Sequence, residues 1–380
     1  MQQVQTPVIP VIGQMVAQTP GTISLGQGIV HYDPPRSVAE AAADAAQDPS
    51  VHRYGQVDGL GPLQEAIGRK LAEDNRIAVT DRQRIVVTAG SNMGFLNAIL
   101  AIADVGDEIV LLSPYYFNHE MAIAIAGCRA VSVATDKQYL PDPKAIEAAL
   151  TDRTRAVVTI SPNNPTGAVY PPQTLRQINQ MCARRGLYHI CDEAYEYFIY
   201  DGAEHFCPLL LPDSSAHTIG LFSLSKSFGM AGWRCGYMLI PEHLEMAVKK
   251  VQDTNLICPP LISQRVAMAA LAEGRPWVRQ RTEGFESVRN LVLEALAPLG
   301  DRIELPRPGG AFYALMRLRT DRNDMDLVET LIREHRVAVL PGSTFGLSEG
   351  CSLRIAYGAL DHRTVAEGVG RLVRGLESLI

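Results

Sequence analysis

The sequence has no Cys-x-x-Cys pair; its seven cysteines (Cys128, Cys182, Cys191, Cys207, Cys235, Cys258 and Cys351) are scattered and odd in number. A disulfide framework or a zinc site is therefore not expected, and the usage fits a reducing cytoplasm. No basic residue precedes Arg36, so the charged start of a secretory signal is missing. No apolar run reaches membrane-spanning length, and even the stretch from Phe95 to Ala103 stops at Asp104. There is no basic excess either: 35 Lys and Arg stand against 41 Asp and Glu, a net charge of −6. Nucleic acids and anionic membranes need a concentrated basic face, so neither is an expected partner. Common ligand signatures are absent as well. No G-x-x-x-x-G-K-[ST], H-E-x-x-H or G-x-S-x-G occurs, and neither Gly26-Gln27-Gly28 nor Gly59-Leu60-Gly61 completes a dinucleotide fingerprint after a strand.

What is present is an ordinary globular composition, 47% hydrophobic and 20% charged over 380 residues, long enough for two domains. The opening stretch, MQQVQTPVIPVIGQMVAQTPG, has no clean period and reads as an extended arm. Two helical patterns then flank a Gly-rich turn at Tyr54 to Gly61. From there apolar strands alternate with amphipathic helices: RIVVTA, EIVLLS, AVSVA, RAVVTI, LYHICDEA, HTIGLFS and CGYMLI. This rhythm predicts an α/β fold in three α/β/α layers, with a mostly parallel sheet of seven-stranded type covered on both faces. After residue 258 the rhythm changes. Long helical patterns from Pro260 to Pro298 give way to the short strands IEL, AFYALMRL, VAVLP and CSLRIAY, and then to a final helix from about Asp361. A second, smaller α+β domain is expected there.

Polar residues stand where apolar strands run out. Asp192 ends LYHIC, Lys226 follows GLFSLS, and SPNNPTG (161–167) follows RAVVTI. Singly, each has a bland reading: a helix-start acid, a solvated lysine, a turn. Together, a strand-ending amine, carboxylate and amide can converge on one mouth of a parallel sheet. An aromatic aldehyde cofactor calls for such groups: an amine for its Schiff base, an anion for a ring nitrogen and a donor for a ring oxygen.

At these residues the sequence resembles the fold type I pyridoxal-phosphate enzymes, and specifically the class I/II aminotransferases. SPNNPTG, DEAY, SLSKSFGMAGWRCGY and LRIAY occur in family order across essentially the whole chain. The resemblance implies pyridoxal 5'-phosphate as cofactor, with Lys226 forming the Schiff base and moving the substrate proton. Asp192 would pair with the pyridine nitrogen and His119 would support it. Tyr195 and Asn164 would hold the ring oxygen, and Tyr116 would lie over the ring, with Tyr115 and Phe117 as neighbouring candidates. Gly90, Ser91, Asn92, Ser223 and Arg234 would hold the phosphate, joined by Tyr54 from a partner subunit. Arg354, Asn164 and Gly28 would bind the substrate carboxylate.

The resemblance further implies a homodimer with shared active sites. Residues 1–44 would form the arm and part of a small domain, 45–285 the large cofactor-binding domain, and 286–380 the small C-terminal domain. The expected reaction is ping-pong transfer of an amino group from an amino acid to a 2-oxo acid. Residues 253–262 (DTNLICPPLI) contain no arginine to select a second carboxylate, so neutral donors are favoured. A carbon–sulfur β-lyase or a cyclopropane-forming synthase would need the same lysine, aspartate and arginine. A catalytically silent cofactor-binding regulator is the rival from another class.

Overall fold

The computed structural model describes residues 4–380. Its first strand, β1 (Ile23–Ser24), belongs to the small domain. The large domain carries seven strands: β2 (Gln83–Thr88), β3 (Glu108–Ser113), β4 (Arg129–Ala134), β5 (Thr154–Ile160), β6 (Tyr188–Asp192), β7 (Thr218–Ser223) and β8 (Gly236–Pro241). They lie in the order β2-β8-β7-β6-β5-β3-β4. Only β8 runs against its neighbours; the pairings from β7 across to β4 are all parallel.

The two faces of this sheet are separated by side-chain alternation. Val86, Ile190 and Leu221 pack beneath Phe95, Ile99 and Val248 on one face. Their chain neighbours Val87, Cys191 and Phe222 pack against Leu63, Ile67 and Val266 on the other. Both faces are covered, so the strands are apolar at nearly every position, and for the same reason they stand out in the sequence. Helix Arg36–Gln47 packs on Leu261–Thr282 in this layer, with Val38 fully buried.

The small domain continues with β9 (Ile303–Glu304), β10 (Tyr313–Leu318), β11 (Val337–Ala338), β12 (Leu340–Pro341) and β13 (Cys351–Ala356). Four of these form an antiparallel sheet, β12-β13-β10-β9, while β1 pairs in parallel with β11. The two chain ends thereby share one core, and Ala356 N–H donates to the Leu25 carbonyl at 2.7 Å.

One expectation is corrected here. The opening stretch is not an extended arm: Val8–Ala17 is a helix, and Val8 and Ile12, one turn apart, are buried in the small-domain core. Pro10 does not break it, because the first turn of a helix has no internal acceptors for its N–H groups.

Candidate active site

All strands but β8 direct their C-terminal ends to one edge of the large sheet, and a cavity of about 440 Å³ opens there against the small domain. Asp192, the last residue of β6, is 5% exposed. Its Oδ1 accepts the Ala194 N–H at 3.1 Å, and its Oδ2 lies 3.2 Å from His119 Nε2. His119 is itself buried and stacks on Phe95 at 3.9 Å, and its Nδ1 has no hydrogen-bond partner among the described residues. The imidazole is thus sandwiched behind the carboxylate, outside the cavity lining, and fixes where the carboxylate points.

Lys226 sits in the short helix Leu224–Ser227 that follows β7, whose first turn is capped by Ser223 Oγ accepting from Ser225 N–H at 3.2 Å. Tyr32 holds this turn from the small-domain side by donating its hydroxyl to the Lys226 carbonyl at 2.7 Å. The ammonium donates to the Gly28 carbonyl. Burial lowers its pKa to about 8; Arg234 and Arg354 push the same way, and Asp192 opposes them.

Arg354 lies in β13 and is 2% exposed. Its Nη1 donates to Asn164 Oδ1 at 3.1 Å and its Nη2 to the Gly26 carbonyl at 2.6 Å, while Nε has no partner among the described residues. A buried guanidinium with an idle donor is under-satisfied and suits an incoming anion. Asn164, in the loop that follows β5, also donates through Nδ2 to the Tyr195 hydroxyl at 3.4 Å. At the end of β2, Gly90 has φ +84 and caps helix Ser91–Ile102; a Cβ there would lie 2.3 Å from Arg234 Nη2. That guanidinium reaches the Ala89 carbonyl at 3.3 Å, alongside the free N–H groups of the helix start.

The cavity thus combines a buried amine, a carboxylate, a helix N-terminus beside an arginine, and a second arginine with a spare donor. The sequence model for "Aminotransferase class I and II" matches residues 20–372. The chain belongs to that family.

An aromatic aminotransferase of Arabidopsis thaliana is 35% identical over 98% of this chain and 94% of its own length. An aspartate/prephenate aminotransferase of Thermus thermophilus is 34% identical over 92% of this chain and 91% of its own. Among solved structures, the aromatic aminotransferase from Pyrococcus horikoshii superposes with a TM-score of 0.88 at 33% identity, covering 97% of this chain and 99% of that one. Aspartate aminotransferase from Thermus thermophilus with maleate gives 0.88 at 31% identity, covering 98% of each chain. The protein is an aminotransferase of a pyridoxal-phosphate-dependent family, with the expected two-domain α/β fold. These relatives give the lyase and synthase alternatives no support.

Within this aminotransferase, Gly28, Ser91, Asn92, Tyr116, Asn164, Asp192, Tyr195, Ser223, Lys226, Arg234 and Arg354 all line the one cavity. Gly90 stands behind Arg234 and His119 behind Asp192. Tyr54 is elsewhere: it is 80% exposed beside Pro260 and Ile262, in a separate concavity. Of the three neighbouring aromatics, Tyr116 and Phe117 reach the cavity and Tyr115 does not.

Other lining residues escaped the sequence reading: Ser225, the N-terminal Pro7, Ile9 and Pro10, and Tyr313 of β10. The signal for Tyr313 was a phenol inside an apolar strand, since a buried hydroxyl needs a partner. A larger concavity of about 680 Å³ around Arg76, Glu196, His205 and Arg275 contains none of the expected site residues. No helix among the described residues is long and apolar enough to cross a membrane.

Proposed function

We propose that the cavity binds pyridoxal phosphate and that the chain uses it to move amino groups from neutral amino acids to 2-oxo acids. The observation that carries this reading is Lys226: a buried amine, already lowered to about 8, faces the same cavity as Asp192 and the under-satisfied Arg354. The donor set fits the group at each end. Gly90 leaves no Cβ between the helix start and Arg234, as close approach of a phosphate to backbone requires. At the far end, Asp192 offers a buried anion oriented by His119.

When bound, pyridoxal phosphate supplies an aldehyde for the incoming nitrogen and a ring that accepts the electron pair left at the substrate α-carbon. The residues of the chain do the rest. Lys226 Nζ is the amine that would hold the aldehyde, and it would take and return the α-proton. Asp192 keeps a proton on the ring nitrogen by charge. Asn164 Nδ2 and the Tyr195 hydroxyl, within 3.4 Å of each other, are donors to the ring oxygen. Tyr116, whose ring lies edge-on to His119 at 5.3 Å and lines the cavity, would pack on the cofactor ring. Ser91, Asn92, Ser223 and Arg234 would hold the phosphate. Arg354 and Asn164, with Gly28 closing from the small domain, hold the substrate carboxylate.

The preference for neutral donors rests on the cavity wall. Among the described residues its charged side chains are Asp192, Lys226, Arg234 and Arg354, each already assigned, whereas Pro7, Ile9, Ile29 and Phe117 form an apolar side. The relatives' names point both ways, to aromatic and to aspartate or aspartate/prephenate aminotransferases, so the preference rests on the wall alone. Exposed Tyr54 supports a homodimer in which it reaches the partner's phosphate. All seven cysteines are unpaired, in keeping with a cytoplasmic setting. A panel of amino donors with 2-oxoglutarate and pyruvate as acceptors tests the reading. Phenylalanine, tyrosine or leucine should lead, and a strong preference for aspartate would contradict it.

A further inference from the structure

Tyr313 lies in β10 of the small domain, is 1% exposed, and lines the cavity. It makes three contacts that no single structural role requires. Its hydroxyl lies 2.8 Å from the Tyr195 hydroxyl. Its ring lies under the Arg354 guanidinium, 4.7 Å from ring centre to the guanidinium carbon. Its hydroxyl also stands 2.7 Å from where a Cβ at Gly28 would be, so the backbone of Gly28 closes directly onto it.

These contacts close a circuit of four buried residues. Arg354 Nη1 donates to Asn164 Oδ1, Asn164 Nδ2 donates to the Tyr195 oxygen, Tyr195 meets Tyr313, and Tyr313 lies beneath Arg354. One end of the circuit is the group for the substrate carboxylate. The other is the pair of donors for the ring oxygen. Three of the four members belong to the proposed site, and Tyr313 is the one that closes it.

We infer that Tyr313 is a positioning residue that ties carboxylate recognition at Arg354 to the donor strength of Tyr195. The inference rests on the cavity being the pyridoxal-phosphate site proposed above. The direction follows from counting protons. Tyr195 has one hydroxyl proton, and if it is donated to the ring oxygen, its own oxygen must accept from Tyr313. A phenol that accepts a hydrogen bond becomes a better donor, because linked hydrogen bonds polarise one another. The Tyr313 hydroxyl therefore strengthens the hold of Tyr195 on the ring oxygen, and its ring separately steadies Arg354 through a cation–π contact.

Two variants separate these roles. Tyr313→Phe keeps the ring and removes the hydroxyl; Tyr313→Leu removes both. The first readout is the pH at which the visible absorption of the holoenzyme changes, which reports the proton on the nitrogen joining lysine to cofactor. Weaker donation leaves more electron density on the ring oxygen and so favours that proton. In Tyr313→Phe the transition should move up by about 0.1 to 0.6 pH unit, the share that a linked partner adds to one charge-assisted hydrogen bond. The second readout is calorimetric binding of 3-phenylpropionate, an unreactive carboxylate, to the holoenzyme. Tyr313→Phe should bind it within about twofold of wild type and Tyr313→Leu about 3- to 10-fold more weakly, as loss of a cation–π contact predicts. An unshifted transition in Tyr313→Phe, or equal affinities in the two variants, overturns the inference. A wild-type protein that takes up no pyridoxal phosphate refutes the cofactor reading instead.

Discussion

The lowered pKa of Lys226 has a consequence for how the protein acquires its cofactor. Only the neutral amine attacks an aldehyde, so the covalent step should follow the free-amine fraction of this residue. With a pKa of about 8, roughly 10% of Lys226 is neutral at pH 7. A solvent lysine of pKa about 10.4 is neutral to only about 0.04% at that pH. The buried residue is therefore favoured about 200-fold before any contribution from binding. Apoprotein mixed with pyridoxal phosphate in a stopped-flow absorbance experiment should show a covalent step that accelerates about tenfold per pH unit at low pH and levels off near pH 8. A lysine peptide under the same conditions supplies the reference. Burial is the largest cause of the shift and the two arginines add to it. Replacing Arg234 by Met should thus move the plateau to higher pH without abolishing it. A rate that keeps rising past pH 10 would refute the reasoning, because Lys226 would then behave as a solvated amine.

Three further outcomes follow from the site and its frame. Gly90→Ala sets a Cβ 2.3 Å from Arg234 Nη2 at a φ of +84, so cofactor affinity measured by fluorescence titration should fall at least about tenfold while the fold persists. Arg354→Lys keeps the charge but loses the planar fork, and steady-state kinetics should show KM for amino acids rising about tenfold or more. Fully buried Arg289 joins Asp201 through two hydrogen bonds, at 2.6 and 2.8 Å, and also donates to the Pro308 carbonyl at 2.8 Å. Arg289→Leu should lower unfolding free energy by about 2 kcal/mol in urea, a moderate loss because Asp201 keeps Arg307 and solvent access.

The large sheet was legible in the sequence because its strands are buried on both faces, so RIVVTA or RAVVTI has no polar alternation to confuse it. The site was legible for a related reason. Asp192 ends β6, and Asn164 and Lys226 stand just past β5 and β7, where a polar residue after an apolar run is conspicuous, on parallel strands that finish at one edge. The small domain hid its contribution. Tyr313 lies in a strand buried at five of its six positions, so its one signal in AFYALMRL, a phenol within an apolar run, does not separate a cavity-facing hydroxyl from one satisfied in the core. The N-terminal helix was obscured by Pro7 and Pro10, which look like breakers in sequence but fall at its cap and first turn. That the opening residues wall the cavity emerges only in three dimensions, where Pro7, Ile9 and Pro10 line it.

The central claim is that Lys226 carries the cofactor in the transamination cycle, and borohydride reduction followed by peptide mass spectrometry tests it most directly. Purified holoenzyme reduced at rest should yield one phosphopyridoxyl-labelled peptide, with the label on Lys226. Prior addition of a good amino donor without an oxo acid should prevent the labelling, because the nitrogen then resides on the cofactor. Label on another lysine, or none on Lys226 in a protein that still transaminates, would contradict the account.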